Sequence, residues 1–277
     1  MKFLFITLLL LLSSSVLQAQ SLSEVINTDA NEYGIAFITN DLICFTRSYG
    51  EKRLMLTQRK GDTWTEPVVA PFSKDWDSEY PSFDITTSRL YFGSVRPKPN
   101  TDESQNSNDI WYVEYDNGSW GEPVHLGGNF SMKGIDSGGF GVGERVYFHS
   151  DRSGSGMYSV DIYMASSESE TPKKLSMSTE TVDGEVHLFN NGNSMLFMSG
   201  GHGAIGNSDI FVSHFLNGEW STPESVDTTG SVNTAAWEYA PSLSPDGSTL
   251  FFTRISNRNA DIISTPVESL TATLIQN

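Results

Sequence analysis

Five short apolar bursts recur along this chain, and they constrain its fold more than any other feature. They read Ile43-Cys44-Phe45-Thr46, Leu90-Tyr91-Phe92-Gly93, Val146-Tyr147-Phe148-His149, Met195-Leu196-Phe197-Met198 and Leu250-Phe251-Phe252-Thr253. The third position is Phe every time, and successive Phe residues stand 47, 56, 49 and 55 residues apart. A self-similar period of about 50 residues marks a repeat architecture rather than one irregular domain.

Other markers keep the same phase. An Asp-Ile pair opens a further apolar stretch after four of the bursts, at Asp109, Asp161, Asp209 and Asp261; the first repeat has Arg53-Leu54 instead. Gly-Trp-Pro turns follow in GDTWTEP (61–67), GSWGEP (118–123) and GEWSTP (218–223). Before each burst an acid opens another short segment: Glu32, Glu79, Asp136, Glu185 and Glu238. The pairs Asn117-Gly118, Asn191-Gly192, Asn217-Gly218 and Asp246-Gly247 mark tight hairpins. No useful stretch of helical periodicity follows the N-terminal segment.

Each repeat therefore reads as four short strands. The repeats fall roughly at 31–72, 73–130, 131–178, 179–230 and 231–277. Four strands and about 50 residues per unit predict an all-β, five-bladed β-propeller of four-stranded antiparallel blades. A sandwich or solenoid built from the same strands does not readily explain five equivalent units without distinct caps. The bursts fit the propeller physically. A strand with one wet face alternates, whereas three apolar residues in a row suit a strand covered on both faces by neighbouring blades. Ring closure requires the chain ends to meet, and either Ser23-Glu24-Val25-Ile26 or Thr273-Leu274-Ile275 could complete the last blade.

Lys2, the apolar run from Phe3 to Leu12 and the small residues up to Ala19-Gln20 read as a secretory signal peptide over 1–20. The run is shorter than the roughly 20 apolar residues a spanning helix needs, so no membrane insertion is expected after cleavage. Residues 21–277 then form a single propeller domain. The lone Cys44 excludes an internal disulfide, so the fold rests on its apolar core. The net charge of −17 argues against nucleic acid as a partner. A monomer without a cofactor is expected.

The order SPDGSTLFFTR (244–254) followed by Asp261-Ile262 resembles the WD-like propeller repeat of the TolB type, and GSWGEP and GEWSTP are similar to variants in secreted bacterial proteins. The resemblance covers nearly all of the chain after residue 20. It implies a propeller in a periplasmic or secreted bacterial setting. It does not imply an activity, because this fold hosts docking modules, glycan binders, lyases and hydrolases alike.

In such a propeller the segment leading into strand one and the loop between strands two and three share one end, where the ligand funnel usually lies. That end is expected to gather Glu32, Glu79, Asp136, Glu185 and Glu238 with Arg47, Arg96, Arg152 and Arg254, and His202 in the fourth repeat. His149 and His187 lie close in sequence to it. An acid and a cation recurring in every repeat suit pairing between strands. The same carboxylates facing one channel could instead hold a cation or a sugar, or serve as acid and base. Trp76 and Trp237, each near an acid, are candidates for stacking on a sugar. The long polar loop 95–109 suggests a flap over the funnel. Asp75, Asp77 and Glu79 alternate as Ca²⁺ ligands could, although the set is incomplete. The expected function is a secreted or periplasmic binding module for a protein segment or a glycan. The alternative is a carbohydrate-active enzyme, a polysaccharide lyase or glycoside hydrolase, working in the same funnel.

Overall fold

A computed structural model of the chain describes residues 21–101, 107–132, 134–154, 159–272 and 274; the segment read as a signal peptide lies outside them. Among the described residues the strands form five antiparallel sheets. Blade 1 holds β1 (Asn31–Thr39), β2 (Leu42–Tyr49) and β3 (Glu51–Lys60), with the two-residue strands β4 (Thr63–Trp64) and β5 (Val68–Val69) on β3. Blade 2 repeats this with β6 (Ser78–Asp84), β7 (Arg89–Ser94), β8 (Asp109–Asp116), β9 (Ser119–Trp120) and β10 (Val124–His125). Blade 3 is β11 (Asp136–Val142), β12 (Arg145–Ser150), β13 (Asp161–Ala165) and β14 (Lys173–Lys174). Blade 4 is β15 (Asp183–Phe189), β16 (Ser194–Ser199), β17 (Asp209–Leu216), β18 (Glu219–Trp220) and β19 (Glu224–Ser225). Blade 5 has three strands, β20 (Trp237–Leu243), β21 (Thr249–Ser256) and β22 (Asn259–Pro266). The first strands touch in the ring order β1, β6, β11, β15, β20 and back to β1, so the molecule is the five-bladed propeller that the repeats predict.

The bursts account for the core. All five burst Phe side chains are essentially sealed from solvent. Phe92 packs into a cluster with Ala36, Cys44 and Leu54 of blade 1, Phe148 with Tyr91 and Ile110 of blade 2, and Phe197 with Phe140 and Ile162 of blade 3. Phe252 meets Leu196 and Ile210 of blade 4, and Phe45 meets Ile262 of blade 5. Each Phe thus faces the preceding blade, while the residue before it (Cys44, Tyr91, Tyr147, Leu196, Phe251) faces the next one. Consecutive residues point to opposite faces of a strand, so a burst without a polar gap is what a strand between two blades requires. Burying one such ring contributes roughly 2–3 kcal/mol.

Among the described residues neither terminus adds a fourth strand to blade 5; Thr273 and Ile275, two of the three C-terminal residues that could complete it, lie outside them. Residues Leu22–Ile26 form a short helix, α1, and the following Asn27 side chain takes both backbone groups of Ile262 in β22: the Ile262 N–H donates to Oδ1 at 3.0 Å and Nδ2 donates to the carbonyl at 2.9 Å. The same device recurs at each blade junction. Ser73 accepts the N–H of Leu54, Ser131 that of Ile110, Ser178 that of Ile162 and Asn233 that of Ile210. The N-terminal segment therefore acts as the linker from blade 5 back to blade 1. At the other end, Thr271 and Ala272 donate to the Val226 carbonyl, and Leu274 packs between blades 4 and 5.

Candidate functional site at the propeller axis

The recurrent acids do not share one position. Counting five residues on from each linker residue that caps a third strand (Asn27, Ser73, Ser131, Ser178, Asn233) gives Glu32, Ser78, Asp136, Asp183 and Glu238. Pairing registers agree: Glu32 stands opposite Arg47, Ser78 opposite Ser94, Asp136 opposite Ser150, Asp183 opposite Ser199 and Glu238 opposite Arg254. Glu79 lies one residue beyond this position and Glu185 two.

The acids at the first position are fully engaged inside the blades. Arg47 Nε binds Glu32 Oε1 at 2.6 Å, Arg152 Nη2 binds Asp136 Oδ1 at 2.7 Å and Arg254 Nε binds Glu238 Oε1 at 2.7 Å. The second oxygens accept linker N–H groups from Thr28, Met132 and Thr234. Asp183 has no arginine and is held by Thr179 and Ser199 instead. The four arginines and His202 reach one recurrent acceptor, the carbonyl one residue before each capping linker residue. Each donates to a linker carbonyl: Arg47 to Ile26, Arg96 to Phe72, Arg152 to Phe130, His202 to Met177 and Arg254 to Val232. The four arginines also lie over the burst Phe of their own blade, at 4.8 to 5.5 Å from the ring centre.

Glu79, next to the junction residue Ser78, faces the axis by ordinary strand alternation, and Glu185 faces it because the first strand bulges there. The registers slip after Tyr33, Glu79, Ser137, Gly184 and Tyr239. At each slip one residue has positive φ: Gly34 (57°), Tyr80 (55°), Gly138 (62°), Glu185 (49°) and Ala240 (48°). Left-handed backbone is cheap for glycine and costs other residues on the order of 1–3 kcal/mol. Tyr80 and Glu185 hold that conformation and present their side chains to the centre. All five residues line an axial cavity of about 480 Å³ that opens where the first strands end, with Phe37, Phe83, Phe140 and His187 beyond them.

A second axial cavity, of about 530 Å³, opens at the other end, where the first strands begin. Tyr80 and Glu185 line both, so this collar separates the two spaces. Glu79, His149, Ser137, Trp237, Tyr239, Lys52 and Asn108 complete the polar and aromatic lining. The 95–109 loop supplies Val95, Ser107 and Asn108 to the rim; its residues 102–106 lie outside the described ones. Glu79 is well supplied with donors: Tyr33 OH at 2.7 Å, Lys52 Nζ at 2.7 Å and Asn108 Nδ2 at 2.6 Å. Glu185 has fewer: the Ala240 N–H and the Tyr80 hydroxyl reach its carboxyl, and among the described residues its buried Oε2 accepts no hydrogen bond. Burial, and then the charge of Glu79, push the Glu185 carboxyl up to about 8. Burial also lifts the hydroxyls of Tyr33, Tyr80 and Tyr239 above their ordinary value and lowers His149 to about 4. His149 sits in a notch made by two glycines, where a Cβ on Gly138 would stand 2.6 Å from Nδ1. That nitrogen too lacks a partner.

Of the residues that the sequence nominates, the structure brings Glu79, Glu185 and Trp237 to this cavity. Glu32, Asp136, Glu238, the four arginines and His202 sit in the blade junctions, and Trp76 is half-buried off the cavity lining. His187 belongs to the opposite mouth. Asp77 accepts from Arg53 and from the Lys52 N–H, and among the described residues no cluster of three His, Cys, Asp or Glu side chains is arranged to hold a metal. Lys52, Asn108 and the three tyrosines are site residues that repeat-by-repeat reading misses.

No protein-family model matches this sequence, and no curated protein does. Solved structures share the fold. An α-L-arabinofuranosidase from Lactobacillus brevis superposes with a TM-score of 0.52 at 13% identity, over 87% of this chain and 90% of that one. A gluconolactonase from Xanthomonas campestris gives 0.52 at 9% identity, over 83% and 85%. A chain of a nidogen/laminin complex gives 0.51 at 10% identity, over 80% and 73%. The chain also spans 33% of the length of a prolyl endopeptidase, with a TM-score of 0.42. At these identities the likeness defines the class, a β-propeller, and nothing finer.

Proposed function

We propose that this propeller is a secreted or periplasmic binding module that takes a glycan into the axial cavity at the mouth where its first strands begin. The observation that carries the reading is the pair Glu79 and Glu185, the two inner-strand acids that face the axis rather than the blade junctions, among Tyr80, Tyr239 and Trp237. Concave sites with aromatic walls and a few convergent polar groups are the usual form of small-ligand sites. Flat aromatic faces suit the apolar faces of sugar rings, and carboxylates accept from their hydroxyls. The repeat order in SPDGSTLFFTR supports a TolB-type ancestry, and residues 1–20 support export. The acidity of the chain supports a site without nucleic acid.

A second reading has its own support. Glu185 is held largely protonated at neutral pH beside a second carboxylate. Two titratable groups whose surroundings differ in this way are how acid–base pairs are built. On that reading the cavity belongs to a carbohydrate-active hydrolase or lyase with Glu185 as the acid.

The test is a panel of polysaccharides, oligosaccharides and cell-envelope peptides, assayed for both retention and turnover with the wild type and with Trp237→Ala. Retention of a glycan without turnover, weakened at least tenfold by Trp237→Ala in a folded protein, is expected. Turnover of the retained glycan transfers the reading to the enzyme. Retention of peptides alone, or equal binding by Trp237→Ala, contradicts the proposal.

A further inference from the structure

The acids of the first strands are satisfied by cations or by several donors, with one exception at the axis. Glu32, Asp136 and Glu238 each hold an arginine, and Glu79 holds Lys52. Asp183 is satisfied by hydroxyls and an N–H. Glu185 is 9% exposed, one of its oxygens has no donor, and no cation pairs with it among the described residues. The groups facing it are Glu79, Tyr33, Tyr80 and Tyr239, with His149 in the same cavity. His149 is neutral, and Lys52 is already committed to Glu79. The rings form a partial cage: Tyr33 lies 5.2 Å from Tyr80 and 6.2 Å from Tyr239, centre to centre. A buried carboxyl without a counter-ion among the described residues, beside a cluster of tyrosine rings, offers both groups that attract an organic ammonium: an opposite charge and π-surfaces.

Resting on the glycan reading above, we propose that the sugar bound at this mouth carries a free, protonated amine and that Glu185 receives it. A neutral sugar can use the aromatic walls and Glu79. It leaves Glu185 as a buried acid without a counter-ion, which is costly to ionise. An ammonium group arriving at Glu185 favours its ionised form. Where the amine is charged in solution, binding then expels the proton that burial had retained, and affinity rises with pH until the amine begins to lose its own proton. An amino sugar with its amine unacetylated supplies this charge together with a ring for Trp237 and Tyr239.

The measurement is calorimetric titration of the full protein at pH 6, where the sugar amines are charged, with the tetramer of glucosamine, the tetramer of N-acetylglucosamine and a tetralysine peptide, each in two buffers of different ionisation enthalpy. The glucosamine tetramer should bind at least tenfold more tightly than either of the others. Its heat should differ between buffers by the release of a proton, and Glu185→Gln should abolish that difference. The buffer comparison needs no variant, so it stands even if Glu185→Gln folds poorly. Equal or tighter binding of the acetylated tetramer overturns the amine requirement while the glycan reading survives. Tetralysine binding as tightly as the glucosamine tetramer overturns the sugar source. Failure of all three, together with failure of the wider glycan panel, removes the glycan reading itself.

Discussion

The Tyr33 hydroxyl of blade 1 donates to Glu79 Oε2 of blade 2 at 2.7 Å. That bond crosses a blade boundary at the axis and fixes the carboxylate that Lys52 and Asn108 also bind. Tyr33→Phe removes one donor and leaves a buried oxygen short of a partner, which costs about 1–3 kcal/mol. The midpoint of denaturant unfolding should fall accordingly with an unchanged slope; an unchanged midpoint means the bond contributes nothing.

Glu238 and Arg254 form the contrasting case. The carboxylate is fully buried and holds Thr234 as well as the arginine. Removing one partner of such a pair strands the other, and Glu238→Gln should destabilise the protein by about 3 kcal/mol. Equilibrium unfolding checks it, and a loss below about 1 kcal/mol would refute the structural role given to this acid.

The pH dependence of stability follows from three buried groups. His149 and His187 fall from 6.5 to about 4 in the fold. The unfolded chain therefore binds more protons between those values, and stability is lost as pH falls through them. Glu185 rises from 4.5 to about 8. Here the folded state binds the extra proton, so stability declines as pH rises from 4.5 through 8. Together these groups place the maximum at about pH 6.5, and Glu185→Gln should remove the alkaline decline. Melting temperatures of both proteins between pH 4 and 9 test this; a variant that still declines towards pH 9 as the wild type does contradicts it.

Closure can be probed at Ile262. Asn27→Ala leaves its N–H and carbonyl without the side-chain amide that binds them. Amide exchange at Ile262 should accelerate at least tenfold relative to Ile210, which Asn233 protects in the same manner. Equal exchange at both sites would show that blade 5 does not depend on this latch.

The blades were legible in the sequence because burial on both faces writes itself into composition. Phe45, Phe92, Phe148, Phe197 and Phe252 have the same surroundings five times over. The axis was legible only in part. A one-residue or two-residue displacement separates Glu79 and Glu185 from the blade-bound acids, and each bulge resets the alternation that sequence reading depends on. The spacing from Asn27-Thr28 to Glu32, from Ser178-Thr179 to Asp183 and from Asn233-Thr234 to Glu238 is the signal that would have placed Asp183, rather than Glu185, in the blade series. Lys52, Asn108 and Tyr239 reach the cavity from three different segments, and Tyr33 meets Glu79 from a fourth. Only closure of the ring brings them together.

The account holds that the ligand meets the axial acids and not those in the blade junctions. The direct measurement is the dissociation constant of the best-retained glycan for Glu79→Gln and for Glu32→Gln, each scaled to the folded fraction. Affinity should drop at least tenfold in Glu79→Gln and stay within twofold of wild type in Glu32→Gln, whose loss appears in stability instead. Wild-type affinity in Glu79→Gln, with binding lost in folded Glu32→Gln, would place the site elsewhere.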